Sequence, residues 1–176
     1  MRFDYNLPKI MKNLWNSIWI KFKPLTVHLE AIMVDEVWEE IKKKSLNNEV
    51  LKWYVMTPAN YDYFRSSFKI KRSKEEVSKL MVERYKWMLE HGQRLELHIH
   101  LSITRDMNYN EQEKLFKEAL AWLREELKLD PKEFVPGWWA YNQETLKVLK
   151  KLGLKMVKFS DYNSTHDYHW ILDKKR

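Results

Sequence analysis

The sequence has no cysteine, only three glycines, and no apolar run near the roughly 20 residues that span a bilayer. The lack of cysteine removes zinc–thiolate sites, thiol nucleophiles and disulfides, so any metal has to rest on histidine and carboxylate. Gly92, Gly137 and Gly153 stand far apart, which excludes the glycine-rich loops that cradle phosphates in dinucleotide and P-loop folds. The N-terminus shows no small-residue cleavage site after an apolar core, and the expected location is cytoplasmic.

At 176 residues and 44% hydrophobic composition the chain is long and apolar enough to bury a single sizeable core. It carries 32 Lys and Arg against 25 Asp and Glu, a formal charge of +7. Lysines are interleaved with glutamates, as in EEIKKK and FKEALAWLREELK, which is the pattern of a solvated helix face. Nucleic acid is therefore not the expected partner. Nine Trp and nine Tyr are a surplus with two outlets: a core rich in large rings, or stacking surfaces for sugars or bases.

Residues 1–23 place Ile10, Met11, Leu14, Trp15, Ile18 and Trp19 at helical spacing and are expected to form an amphipathic arm packed on the core. From 24 to 176 strands alternate with helices. Strands are predicted at 25–30, 50–57, 94–103, 133–139 and 154–160. Helices are predicted at about 34–44, 73–90, 110–128 and 142–152; Ser73 with Glu76 makes a capping box, and Gly92 and Gly153 act as stops. Such alternation implies a mostly parallel α/β sheet with its site at the C-terminal strand ends. Too few strands are present for eightfold closure, so the expected fold is an incomplete or irregular (β/α) barrel.

Period-two geometry splits RLELHIHLSI into an apolar side, Leu95, Leu97, Ile99 and Leu101, and a polar side, Glu96, His98 and His100. LTVHLE divides the same way and sets Thr26, His28 and Glu30 together. Polar groups on covered parallel strands are costly unless paired or ligated. Two such strands in one short domain point to a site, and imidazole with carboxylate suits Zn²⁺, Ni²⁺, Co²⁺ or Mn²⁺.

These segments resemble the polysaccharide deacetylases, the NodB-type carbohydrate esterases. HGQRLELHIHLSI (91–103) is similar to the family's G-H-E-I-G-L-H-x-H stretch, and FVPGWWAYNQETLKVLKKLGLKMVKFS (134–160) is similar to its later FR-P/A-G, aromatic, Asn, ETLK-LKKLG stretch. LTVHLE sits where the family has its acidic first strand, and the resemblance spans about residues 25–172. The departures are specific. His28 and Glu30 replace the first-strand aspartate pair, Ser102 stands four beyond His98, and Val135 replaces the family arginine.

The resemblance implies a distorted (β/α) barrel that removes an acetyl or similar acyl group from a carbohydrate or other small acylated substrate. It implies a divalent metal, zinc first, held by His98, His100 and Glu30. Glu30 or His28 would serve as base and His169 as acid. Trp138, Trp139, Tyr141 and Trp170 would stack on sugar, and TPANYDYF (57–64) would bring Tyr61, or its neighbours Asp62 and Tyr63, to the rim.

Two other readings compete. A catalytically degenerate deacetylase-like binding protein would explain the missing aspartates. HIHLSI also resembles the metal strand of tyrosine nucleases that nick single-stranded DNA, but that family uses an antiparallel sheet. Neither Tyr141 nor Tyr162 has the lysine three positions on that accompanies such a nucleophile.

Overall fold

A computed structural model describes residues 25–47, 50–100 and 107–157. Five strands, β1 (Leu25–Leu29), β2 (Val50–Val55), β3 (Arg94–Ile99), β4 (Glu133–Pro136) and β5 (Lys155–Met156), form one sheet in sequence order. Every neighbouring pair is parallel. The crossovers carry five α-helices: α1 (Asp35–Leu46), α2 (Tyr61–Ser67), α3 (Lys74–Glu90), α4 (Tyr109–Leu127) and α5 (Gln143–Leu152). The described strands make an open sheet, in keeping with the incomplete barrel expected from the strand count. All-parallel pairing removes the tyrosine-nuclease reading, which required an antiparallel sheet. The expected arm at 1–23 lies outside the described residues.

Local chemistry accounts for the helix boundaries. Ser73 Oγ accepts from the Glu76 amide at 3.2 Å while Glu76 returns a bond to the Ser73 amide at 2.7 Å. Asn108 with Glu111, and Asn142 with Thr145, build the same reciprocal cap at α4 and α5. Gly153 closes α5 at φ +71°, a left-handed conformation that costs glycine little. Two elements differ from the sequence expectation. The segment after Pro58 holds a 3-10 turn and α2 instead of an open loop. The fourth strand stops at Pro136, because Gly137–Trp139 turns away as a 3-10 segment in which Trp138 and Trp139 take φ of +50° and +56°.

Register assigns the two faces of the sheet. Val27, Trp53, Leu95 and Phe134 belong to one side, with Leu29, Val55, Leu97 and Ile99, and these join the helices' apolar stripes in a single core. The other side is polar. Toward the strand starts, Glu133 bonds the Tyr54 hydroxyl at 2.5 Å and pairs with Lys52, while Glu96 accepts the backbone amides of Lys132 and Glu133 at 2.9 and 3.0 Å. Toward the strand ends stand His28, Glu30, His98 and His100. The aromatic surplus divides as well: Trp53, Tyr85, Phe64, Phe116 and Phe134 fill the interior, while Trp138 and Tyr141 are exposed. Among the described residues no helix is long and apolar enough to cross a membrane.

Candidate metal centre

Glu30 follows the last residue of β1 and is completely buried. Its two oxygens have different neighbours. Oε2 accepts a 2.8 Å hydrogen bond from the Tyr63 hydroxyl. Oε1 lies 2.7 Å from His100 Nε2 and 3.5 Å from the Nε2 atoms of both His28 and His98. The carboxylate is thus ringed by three imidazoles from two strands. Parallel pairing explains the meeting: β1 and β3 flank β2 in register, so even-numbered residues of both strands project to the same side.

His98 shows most clearly what the arrangement lacks. Its Nδ1 bonds the Val135 carbonyl at 2.9 Å, so Nδ1 carries the proton and Nε2 presents a lone pair. That Nε2 is buried and has no hydrogen-bond partner. A buried nitrogen left this way carries a desolvation cost of about 1–3 kcal/mol, which a ligand at that position would remove. Burial pushes the His98 pKa down to about 4; repulsion from His28 and His100 adds to this and the attraction of Glu30 opposes it. The ring is neutral at physiological pH, the form that ligates a metal.

Burial alone would raise the Glu30 pKa. The hydrogen bond from His100 and the imidazoles of His28 and His98 outweigh it and hold the carboxylate well below its ordinary range. Glu30 therefore supplies a fixed negative charge. One ligand atom each from His28, Glu30 and His98 lies within 4.8 Å of the others, a spread from which three donors can close on one cation. Two imidazole nitrogens and one carboxylate oxygen form a donor set suited to zinc and its divalent neighbours.

His100, also expected as a ligand, stands in the same cluster. Its Nε2 is engaged with Glu30, and its ring stacks on Tyr63 with centroids 4.0 Å apart and planes at 14°. Gly137 abuts it so closely that an added Cβ would stand 2.5 Å from His100 Cγ. Trp138 meets the ring edge-on at 5.6 Å and is 68% exposed, and Tyr141 is half exposed. Trp139 is partly buried. The Tyr61 hydroxyl donates to the Arg72 carbonyl at 2.7 Å, and its neighbour Tyr63 is the one that reaches the cluster. His169 and Trp170 lie outside the described residues.

Tyr63 and Gly137 are the participants that sequence reasoning underused. The signal for Tyr63 is the Tyr-x-Tyr spacing after Pro58. Read as a loop, it gives neither ring a direction; wound as a helix, it turns residues 61 and 63 to different sides. For Gly137 the only signal was a glycine beside two tryptophans, which a plain turn explains equally well.

Neither a family model nor a curated protein matches the sequence. Solved structures do match the fold. A mutant of BA3943, a CE4 family pseudoenzyme of Bacillus anthracis, superposes with a TM-score of 0.53 at 9% identity over 78% of this chain and 45% of its own. The Xyl-CE4 domain of a multidomain xylanase from the hindgut metagenome of Trinervitermes trinervoides gives 0.51 at 11% identity over 77% of this chain and 56% of its own. A family 4 carbohydrate esterase from Streptomyces lividans, in complex with acetate, gives 0.50 at 10% identity, over 78% of this chain and 62% of its own. The chain thus has the α/β fold of the family 4 carbohydrate esterases, the polysaccharide deacetylase type, and spans roughly half the length of these relatives.

Proposed function

We propose that this protein is a metal-dependent hydrolase that removes an acetyl group from a carbohydrate, with a divalent ion, zinc first, held by His28 Nε2, Glu30 Oε1 and His98 Nε2. The observation that carries the reading is the unpartnered, buried Nε2 of His98, aimed at Glu30 Oε1 from 3.5 Å. The likeness to carbohydrate esterases supplies the substrate class. A bound divalent ion supplies Lewis acidity, lowering the pKa of a water and polarising an acyl oxygen.

The chain's own residues prepare the rest. The Val135 carbonyl fixes the tautomer and aim of His98. Burial excludes bulk water from Glu30, His98 and His100 and strengthens the field of the carboxylate. Trp138 offers an exposed aromatic face beside His100, where a pyranose ring can stack, and Tyr141, three residues further on, is half exposed. With both Glu30 oxygens engaged, Glu30 acts as ligand and not as base, and His169 keeps the expected role of acid.

Metal analysis of protein purified without chelator, together with acetate release from an N-acetylglucosamine oligosaccharide, tests this. One zinc per chain is expected, lost in His98→Ala along with at least about 10²–10³ of the activity. Acetate release that survives metal loss sinks the proposal. The engagement of both Glu30 oxygens also favours a second reading, a binding protein that keeps metal and sugar without hydrolysis. It predicts zinc and oligosaccharide binding with no acetate released.

A further inference from the structure

We infer that Tyr63 and His100 form a clamp that holds Glu30 as a one-oxygen metal ligand, so that His100 is a positioning residue and the first-strand His28 takes the ligand place expected of it. This rests on the reading that the centre binds a divalent ion. Oε2 of Glu30 is bonded to the Tyr63 hydroxyl at 2.8 Å, so the carboxylate presents Oε1 to the imidazoles. At Oε1 the nearest group is His100 Nε2, 2.7 Å away. At that distance from a carboxylate oxygen, which can only accept, the nitrogen donates a proton, and a ring nitrogen that bears a proton has no lone pair for a metal.

His100 is also sterically fixed in that role. Its ring lies flat on Tyr63, and the Gly137 backbone approaches until an added Cβ would come within 2.5 Å of Cγ and 2.7 Å of Cδ2. Turning the ring toward His28 and His98 would give up the stacking contact and the bond to Glu30 together. The atoms that do converge belong to His28, Glu30 and His98. Tyr63 therefore acts twice, on one oxygen through its hydroxyl and on the other through the ring that it supports.

Zinc affinity, read by competition with a chromophoric chelator, and the visible spectrum of the Co²⁺ form test the clamp in wild type, Tyr63→Phe, His100→Gln, His28→Ala and His98→Ala. The expected pattern is loss of binding in His28→Ala and His98→Ala. Tyr63→Phe should bind about 10–100-fold more weakly, the usual effect of losing an outer-shell partner. Its Co²⁺ bands should also weaken, because a released Oε2 raises the coordination number, a change that mere loosening of the fold does not produce. His100→Gln retains a donor and should keep the wild-type Co²⁺ band positions. If His100→Gln loses the ion while His28→Ala keeps it, or if Tyr63→Phe binds zinc as wild type does, the clamp is wrong though the metal reading stands. If wild type binds no zinc, both fall. Tyr63→Phe keeps the ring and its packing, so the test does not depend on a variant that fails to fold.

Discussion

Glu30 and His98 show how a buried polar pair constrains its surroundings. A carboxylate with no solvent contact is kept ionised chiefly by the hydrogen bond from His100, and an imidazole with one nitrogen tied to Val135 is kept neutral by burial. In chelator-treated protein this gives a definite pH dependence. The native His98 pKa of about 4 lies below its ordinary 6.5, so between those values the unfolded chain binds a proton that the native state does not. Stability is complete above pH 6.5 and declines as pH falls toward 4. Urea titrations across that window should show a steeper decline in wild type than in His98→Leu; equal slopes would refute the assignment. Gly137 makes a second prediction at this scale. Gly137→Ala places a Cβ 2.5 Å from His100 Cγ and 2.7 Å from its Cα, so part of the clash is with backbone. Overpacking of this kind costs about 1–3 kcal/mol, measurable as a lower denaturation midpoint.

The turn after β4 is the element whose form departs most from its sequence pattern. Alternation along 133–139 would send Trp138 and Trp139 to opposite faces of a strand. Both instead adopt left-handed backbone, a conformation costing non-glycine residues roughly 1–2 kcal/mol each. Strain of this sort persists where surrounding structure imposes it, and here the outcome is an exposed indole against His100. Trp138→Ala should therefore leave the unfolding free energy within about 0.5 kcal/mol of wild type, because the ring is mostly solvated. The same variant should weaken oligosaccharide binding about tenfold by calorimetry, the order of one lost stacking contact. Unchanged binding would return Trp138 to a structural role.

For the whole molecule, the polar side of the sheet is a departure from the layered apolar filling usual in (β/α) barrels. Lys52, Tyr54, Glu96 and Glu133 are satisfied by one another and by backbone, while the upper cluster leaves His98 Nε2 open. A native state that carries an open ligand atom gains stability from whatever fills it. Zinc at 100 times its dissociation constant should add about 2.7 kcal/mol to unfolding, visible as a rise in Tm that EDTA reverses and His98→Ala abolishes. A Tm indifferent to zinc and chelator would refute it.

The alternation of LTVHLE and RLELHIHLSI fixed by itself which residues share a face, and strand–helix alternation fixed a parallel sheet, because both depend on local periodicity and connection length. A capping box marked the helix start at Ser73 for the same local reason. Which nitrogen of which histidine is open was decided only by tertiary contacts. The Val135 carbonyl lies 37 positions from His98, and the Tyr63 hydroxyl lies 33 from Glu30. Proton placement and ring orientation are set by such distant partners, whereas the pattern along a strand records only its direction and its pleat.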